Sequence, residues 1–131
     1  MEYISAEEFL KQHKKVQEVF LDWWKPSKGD LFENDLIGGF GAMTGNNELK
    51  NGLIPLLTEG QLRKFIEDKM NCKISINIGE YGYQFILYKF KETSLKDEEY
   101  YCEYYKEFKG FLGTDLLQAY WKVACEIAKE E

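Results

Sequence analysis

A strict two-residue alternation over residues 72–78 is the feature that most constrains the fold of this chain. Apolar side chains occupy every second position and polar side chains the positions between them, the pattern of a strand with one buried face. Turn residues follow at 79–82, and residues 83–90 then carry apolar side chains on both faces. We therefore predict an antiparallel hairpin whose second apolar face needs cover, either from the N-terminal helix or from another molecule.

Residues 92–107 interleave acids with tyrosines. Six acids stand against two lysines, which gives this stretch of sixteen residues a charge of −4. Its tyrosines fit either the stripe of a helix or an alternating strand. We favour a third strand, because tyrosine is a strand former and a meander is the usual continuation of a hairpin.

Capping boxes predict two helix starts. Ser5 pairs with Glu8 in the first box, and Thr58 pairs with Gln61 in the second. The apolar stripe after the first box predicts one helix or two short consecutive helices, which Pro26 ends.

A final helix with a wide apolar face is predicted to follow Thr114 as its N-cap. Residues 27–56 are rich in glycine and lack periodicity. We predict a glycine-rich loop there, with a short hidden hairpin as the alternative.

These elements predict an α+β fold in a single domain over residues 1–131. Its parts are an N-terminal helical segment at 1–26, the glycine-rich loop region at 27–56 and an α-β-β-β-α core at 57–131. We expect a small antiparallel sheet of about three strands. Two helices should pack on one face of it, and the N-terminal helix with the loop should lie on the other face or at an end.

Five stretches of this sequence together resemble small phage and prophage proteins of Gram-positive bacteria. They are residues 20–26, 58–69, 72–78, 83–90 and 115–127, the last including Tyr120 and Trp121. The order of elements also resembles the phage domains called ABA sandwiches. The resemblance implies a phage context and an architecture, and it carries no catalytic motif.

Charge and composition narrow the classes of partner. The formal charge is −6 and Arg63 is the only arginine, which argues against direct nucleic-acid binding. No apolar run is long enough to cross a bilayer and no secretory signal is visible, so we expect no membrane association and a location in the cytoplasm of the infected host. The three cysteines lack metal-ligand spacing, and we expect free thiols, no metal and no cofactor.

Neither candidate for catalytic chemistry has the context it needs. His13 is the only histidine, and it lies in an apolar stripe without a nucleophile motif. The glycine run at 38–45 lacks the lysine and hydroxyl residue of a phosphate-binding loop. We therefore expect that the chain is not an enzyme.

The acidic, tyrosine-rich segment is the candidate partner-binding face, since tyrosines offer contact area and acids steer towards basic surfaces. The alternative is an ordinary amphipathic edge strand. Of the adjacent pair Trp23 and Trp24, an exposed ring would mark a partner contact and a ring covered by the loop would be structural. The expected partner-binding residues are Glu98, Glu99, Tyr100, Tyr101, Glu103, Tyr104, Tyr105 and Trp24.

Taken together, these features lead us to expect a non-enzymatic phage accessory protein that binds and inhibits a host protein. The expected target has a basic surface, such as a CRISPR effector or another defence nuclease, and a homodimer is compatible with the aromatic surface. One alternative is sequestration of a small anionic nucleotide signal in a pocket lined by Tyr or Trp with Arg63 or nearby lysines. A phage structural or housekeeping protein without a defence role is the other.

Overall fold

Helices and two separate antiparallel sheets make up the α+β fold of the computed structural model. It describes residues 2–34, 39–44, 52–92 and 100–131, and for residues 90–92 and 100–105 it describes the backbone alone. The elements in chain order are α1 Ala6–Leu10, α2 Lys14–Trp23, β1 Leu31–Asn34, β2 Phe40–Ala42, β3 Leu53–Pro55, α3 Glu59–Met70, β4 Lys73–Gly79, β5 Gly82–Glu92, β6 Tyr100–Phe108 and α4 Leu116–Lys129.

The first apolar stripe forms two helices rather than one, which was one of the two predicted alternatives. Ser5 caps α1 by accepting the amide of Glu8 at 3.1 Å. His13 caps α2, because its Nδ1 accepts the amide of Lys15 at 3.1 Å. Helix α2 ends at Trp23, three residues before Pro26.

Both later helices begin at side-chain caps. Thr58 and Gln61 form the predicted reciprocal capping box at the start of α3. The predicted cap of α4 was wrong by one residue: Asp115, not Thr114, accepts the amide of Gln118 at 2.9 Å. Aspartate and threonine are both good N-caps, so the adjacent pair gave no basis for choosing between them.

The main sheet is the predicted meander, with strand order β4-β5-β6. Its first strand begins at Lys73, so Cys72 precedes the strand and is not part of it. The Cα register pairs Ile76 with Phe85 and Ile74 with Leu87 and places all four on one face. Phe85 and Leu87 are fully buried on that face, and the rings of Phe85 and of Tyr120 in α4 form a T-shaped pair with 4.8 Å between centroids.

A second sheet, with order β2-β1-β3, corrects the prediction of one sheet and a glycine-rich loop. Its strands are three or four residues long, which is too short for a two-residue period to be recognised in the sequence. They include the hidden hairpin, since β1 pairs antiparallel with β2. Leu56 donates its amide to Leu31 and Ile4 donates to Leu57, so this sheet is joined to the N-terminal segment.

Helix α2 packs on the helical layer and not on the far face of the main sheet. Phe20 is fully buried, with ring centroids 4.4 Å from Phe65 of α3 and 5.2 Å from Trp121 of α4. Ile86 and Tyr88, on the far face of β5, are half-buried. The far face therefore keeps part of its apolar surface in contact with solvent.

Candidate functional site: the acidic edge strand and the tryptophan cleft

Strand β6 contains most of the predicted partner-binding residues and lies at one edge of the main sheet. Its Cα register runs from Phe108 opposite Phe85 to Tyr100 opposite Glu92, with a shift between Leu87 and Tyr88. The prediction that this tyrosine-rich segment is a strand is confirmed. An edge strand is the part of a sheet that is open to another chain.

The described end of β6 lies beside an acidic residue at the C-terminal cap of α4. Lys106 is the one lysine of the strand, and its Nζ lies 3.0 Å from both carboxylate oxygens of Glu130, just after α4. The Lys106 ammonium also lies 5.1 Å from the centre of the Phe108 ring. The ion pair neutralises Lys106 and Glu130 together, and the other two charged residues of β6, Glu103 and Glu107, are acids.

Glu107 lies on the opposite face of the same strand end. It accepts a hydrogen bond from the side-chain nitrogen Nε2 of Gln84, and it lies 3.5 Å from the ammonium of Lys109. These bonds tie the carboxylate to β5 and to the loop after β6. Glu107 therefore contributes to the structure of the sheet as well as to the charge of its edge.

The remaining predicted residues of this segment can be placed only partly. Glu98 and Glu99 lie outside the described residues. The backbones of Tyr100, Tyr101, Glu103, Tyr104 and Tyr105 belong to β6, and their side chains lie outside what is described. The strand thus brings five of the predicted residues together in one extended segment at the sheet edge.

Trp24 is a correction to the predicted partner-binding set. Its side chain is 2% exposed, and its indole Nε1 donates to Asp30 Oδ2 at 3.1 Å. The same oxygen accepts the amide of Ser27 at 3.0 Å. A buried indole needs such a partner, so Trp24 has the structural role that was the alternative reading.

Trp23 is the half-buried member of the pair, as expected for neighbours about 100° apart around a helix. Its ring meets Phe65 edge-on at 5.3 Å between centroids, and its Nε1 donates to Asp68 Oδ2 at 3.0 Å. Lys64 binds the same oxygen at 3.4 Å. The two tryptophans therefore bond to two different aspartates, Asp30 in the loop after α2 and Asp68 in α3.

A cleft of about 370 Å³ lies between these two bonds, and we call it the tryptophan cleft. Its lining residues are Trp23, Trp24, Lys25, Ser27, Asp30, Gln61, Lys64 and Asp68. Two lysines face two aspartates, so the lining has no net formal charge. Lys25 has no ion-pair partner among the described residues, whereas Lys64 is bound to Asp68.

Arg63 does not contribute to this cleft. Its Nε binds Glu67 at 3.1 Å along the same helix. Sequence reasoning named Arg63 for a ligand pocket and missed Asp30 and Asp68. No local motif could have identified these two, because they lie far apart in the sequence and meet the adjacent tryptophans only in the folded chain.

The single histidine and the described cysteines are in structural positions. His13 is the exposed cap of α2. Cys72 and Cys125 are free and buried, and burial raises the pKa of Cys72 and raises the pKa of Cys125 to about 12. Both thiols are therefore protonated near neutral pH and are poor nucleophiles.

The described part of the chain offers neither a metal-binding cluster nor a membrane span. Within those residues, no group of three or more histidine, cysteine, aspartate or glutamate side chains is arranged to hold a metal ion. No helix there is long and apolar enough to cross a membrane.

Comparison with known proteins gave no matching family model, no matching curated protein and no matching solved structure.

Proposed function

We propose that this chain is a non-enzymatic binding protein that covers a basic surface of another protein with its acidic, tyrosine-rich edge strand β6. The observation that carries the proposal is the ion pair between Lys106 and Glu130, which neutralises the only lysine of the strand, so that the other two charged residues of β6, Glu103 and Glu107, are both acids. Acidic charge gathered at a sheet edge favours encounter with a positively charged partner.

A nuclease of bacterial defence is the partner class that we propose. Nucleic-acid-binding proteins present lysines and arginines to phosphates, and an acidic edge can compete for the same groups. The tyrosines add contact area that loses little conformational freedom on binding. The resemblance to small phage proteins supports a target in the bacterial host. Inhibition would then be stoichiometric, one chain covering one basic site.

The test compares two variants of equal charge. Glu98→Lys, Glu99→Lys and Glu103→Lys together raise the formal charge by 3 × 2 from −6 to 0. The matched control carries Glu2→Lys, Glu18→Lys and Asp22→Lys, three exposed positions on the N-terminal segment, and reaches the same charge. Tyr104→Ala tests the aromatic part of the contact without a charge change.

Tagged forms of the chain would be used to capture proteins from Gram-positive host lysate at two salt concentrations, and each captured nuclease would be purified and assayed with the chain. We expect the wild type and the control to retain and inhibit the same nuclease, and the acidic-edge variant and Tyr104→Ala to fail. Equal loss of inhibition in the two charge variants would show that overall charge, and not β6, is responsible.

The tryptophan cleft supports a second candidate, the binding of a small molecule. Trp23 offers a half-buried indole, and Lys25 beside it has no ion-pair partner within the described parts of the chain, so the two suit a ring that carries an anionic group. Asp30 and Asp68 oppose a highly charged phosphate, so a singly charged or zwitterionic compound fits better than a nucleotide. Native mass spectrometry of the purified chain, compared with Lys25→Ala, tests this candidate. A bound mass lost with the substitution supports it, and an unliganded wild type contradicts it.

A further inference from the structure

Strand β4 forms the edge of the main sheet opposite β6. None of its seven residues is fully buried, and Ile78 near its end is 66% exposed. Its one charged residue, Lys73, is bound to Glu67 of α3 at 3.1 Å. The rest of the strand carries no charge, although natural proteins commonly protect an open edge with charges, proline or a bulge.

The backbone of β4 presents regularly spaced donors and acceptors along this edge. Tyr83 donates its amide to Gly113, away from β4, so the pair of Tyr83 with Ile78 is not hydrogen-bonded within the hairpin. Antiparallel pairs alternate, and the pairs formed by Ile76 and Ile74 with β5 are therefore of the same kind. The N–H and C=O groups of Ile74, Ile76 and Ile78 consequently point outwards, and in the described structure no backbone group bonds to them.

The side chains of this segment are symmetric about Ile76. The order Ile74-Ser75-Ile76-Asn77-Ile78 has the same character in both directions, with isoleucines on the core face and small polar side chains on the other. A strand with this order matches its own reverse. An antiparallel copy centred on Ile76 would oppose isoleucine to isoleucine and Ser75 to Asn77, with no like charges facing each other.

We propose that a second copy of this chain adds its β4 to this edge around a twofold axis at Ile76. Ile74 of each copy then lies opposite Ile78 of the other, and the outward groups of 74, 76 and 78 form hydrogen-bonded pairs. The main sheets of the two copies, each of three strands, then join into one sheet of six strands. Ile78, exposed in the single chain, packs against Ile74 of the second copy.

The proposed pairing spans the whole of β4. Gly79 of each copy lies opposite Lys73 of the other, and the pairing ends there because the chain turns back into β5 after Gly79, which pairs with Gly82.

This interface is independent of the proposed function, because β6 lies at the other edge of the sheet and stays accessible. A dimer formed through β6 would instead place acidic strands against each other. Loss of dimerisation and loss of partner binding are therefore separate outcomes of separate substitutions.

The test uses two double variants whose behaviour depends on the register. Ser75→Lys with Asn77→Lys places lysine opposite lysine twice across the axis, whereas Ser75→Glu with Asn77→Lys places opposite charges together twice. Sedimentation equilibrium should show a wild-type dimer, a lysine-only variant whose dissociation constant is at least about tenfold higher, and a mixed-charge variant that stays dimeric. Circular dichroism melting curves confirm that both variants fold.

A covalent test probes the proposed pairing of the two strands. In the proposed register Ser75 and Asn77 form non-hydrogen-bonded pairs, whose Cα atoms lie about 4.5 Å apart, within disulfide range. Mild oxidation of Ser75→Cys with Asn77→Cys should therefore yield a covalent dimer that is absent with Phe40→Cys, an exposed position in the other sheet. A wild type that is monomeric at about 100 μM, or a lysine-only variant as dimeric as the wild type, would overturn the proposal.

Discussion

Asp30 should matter to the stability of this fold far more than Asp68, although each accepts a tryptophan N–H. Trp24 is 2% exposed, so Asp30→Ala leaves its indole N–H buried without an acceptor. An unsatisfied buried donor costs about 1–3 kcal/mol, and we expect a loss of about 2 kcal/mol in the free energy of unfolding. Ser27 adds little to this loss, because its amide is exposed and can bind water.

The equivalent change at Asp68 should cost about 0.5 kcal/mol or less. Trp23 is only half-buried and Asp68 is exposed, so water can replace the carboxylate. Asp30→Asn gives a graded control, because its amide oxygen still accepts the indole N–H. We expect it to cost about 1 kcal/mol, between the wild type and Asp30→Ala.

Urea unfolding followed by circular dichroism measures all three variants. With a slope of about 2 kcal/mol per molar, a loss of about 2 kcal/mol moves the midpoint down by about 1 M. Repeating Asp30→Ala in a Trp24→Phe background removes the donor as well, and the cost of Asp30→Ala should fall by about 2 kcal/mol. A coupling near zero, or equal costs for Asp30→Ala and Asp68→Ala, would refute the reasoning.

Three further predictions follow from caps, packing and thiol burial. Thr58→Ala removes one side of the α3 capping box and should lower the free energy of unfolding by about 1 kcal/mol. The same urea titration measures it, with the exposed substitution Lys64→Ala as the control. An unchanged free energy of unfolding would contradict the role of the cap. Phe20→Ala should lower the free energy of unfolding by about 3–5 kcal/mol and Phe20→Leu by much less, because the ring fills the junction of three helices. Similar losses for the two variants would show that the structure collapses into the space left by alanine. In a Cys102→Ser variant, the thiols of Cys72 and Cys125 should react with Ellman's reagent at pH 8 only as fast as the chain unfolds, since burial raises both pKa values. Labelling that is faster than unfolding would contradict this prediction.

Sequence patterns predicted the main sheet and the later helices because their signals are local and repeated. The alternation through Ile74 and Ile76 spans enough residues to exclude a helix, and the Thr58 box specifies a helix start within four positions. The second sheet escaped prediction for the opposite reason. Strands such as β2, of three residues, contain too few positions to establish a period, and their pairing is decided by contacts distant in the sequence.

The candidate site was predictable only where it lies within one segment. The acids and tyrosines of β6 follow one another along the chain, so composition alone identified them. The tryptophan cleft joins residues of α2, the loop after it and α3, and nothing in the sequence relates Trp24 to Asp30 or Trp23 to Asp68. The sequence therefore did not show which of the two tryptophans is buried, because that depends on contacts made only in the folded chain.

The burial of α4 determines how freely its sequence can change. Residues on nearly every side of this helix are buried, among them Ala119, Trp121, Val123 and Ala128. Only the row Gln118, Lys122 and Glu126, at four-residue spacing, reaches solvent between the first and last turns. A helix of this kind tolerates neither larger side chains at its alanines nor polar ones at its apolar positions. Substitutions that survive selection should therefore fall on that row, and related chains should keep the composition of α4 while the surface helices diverge.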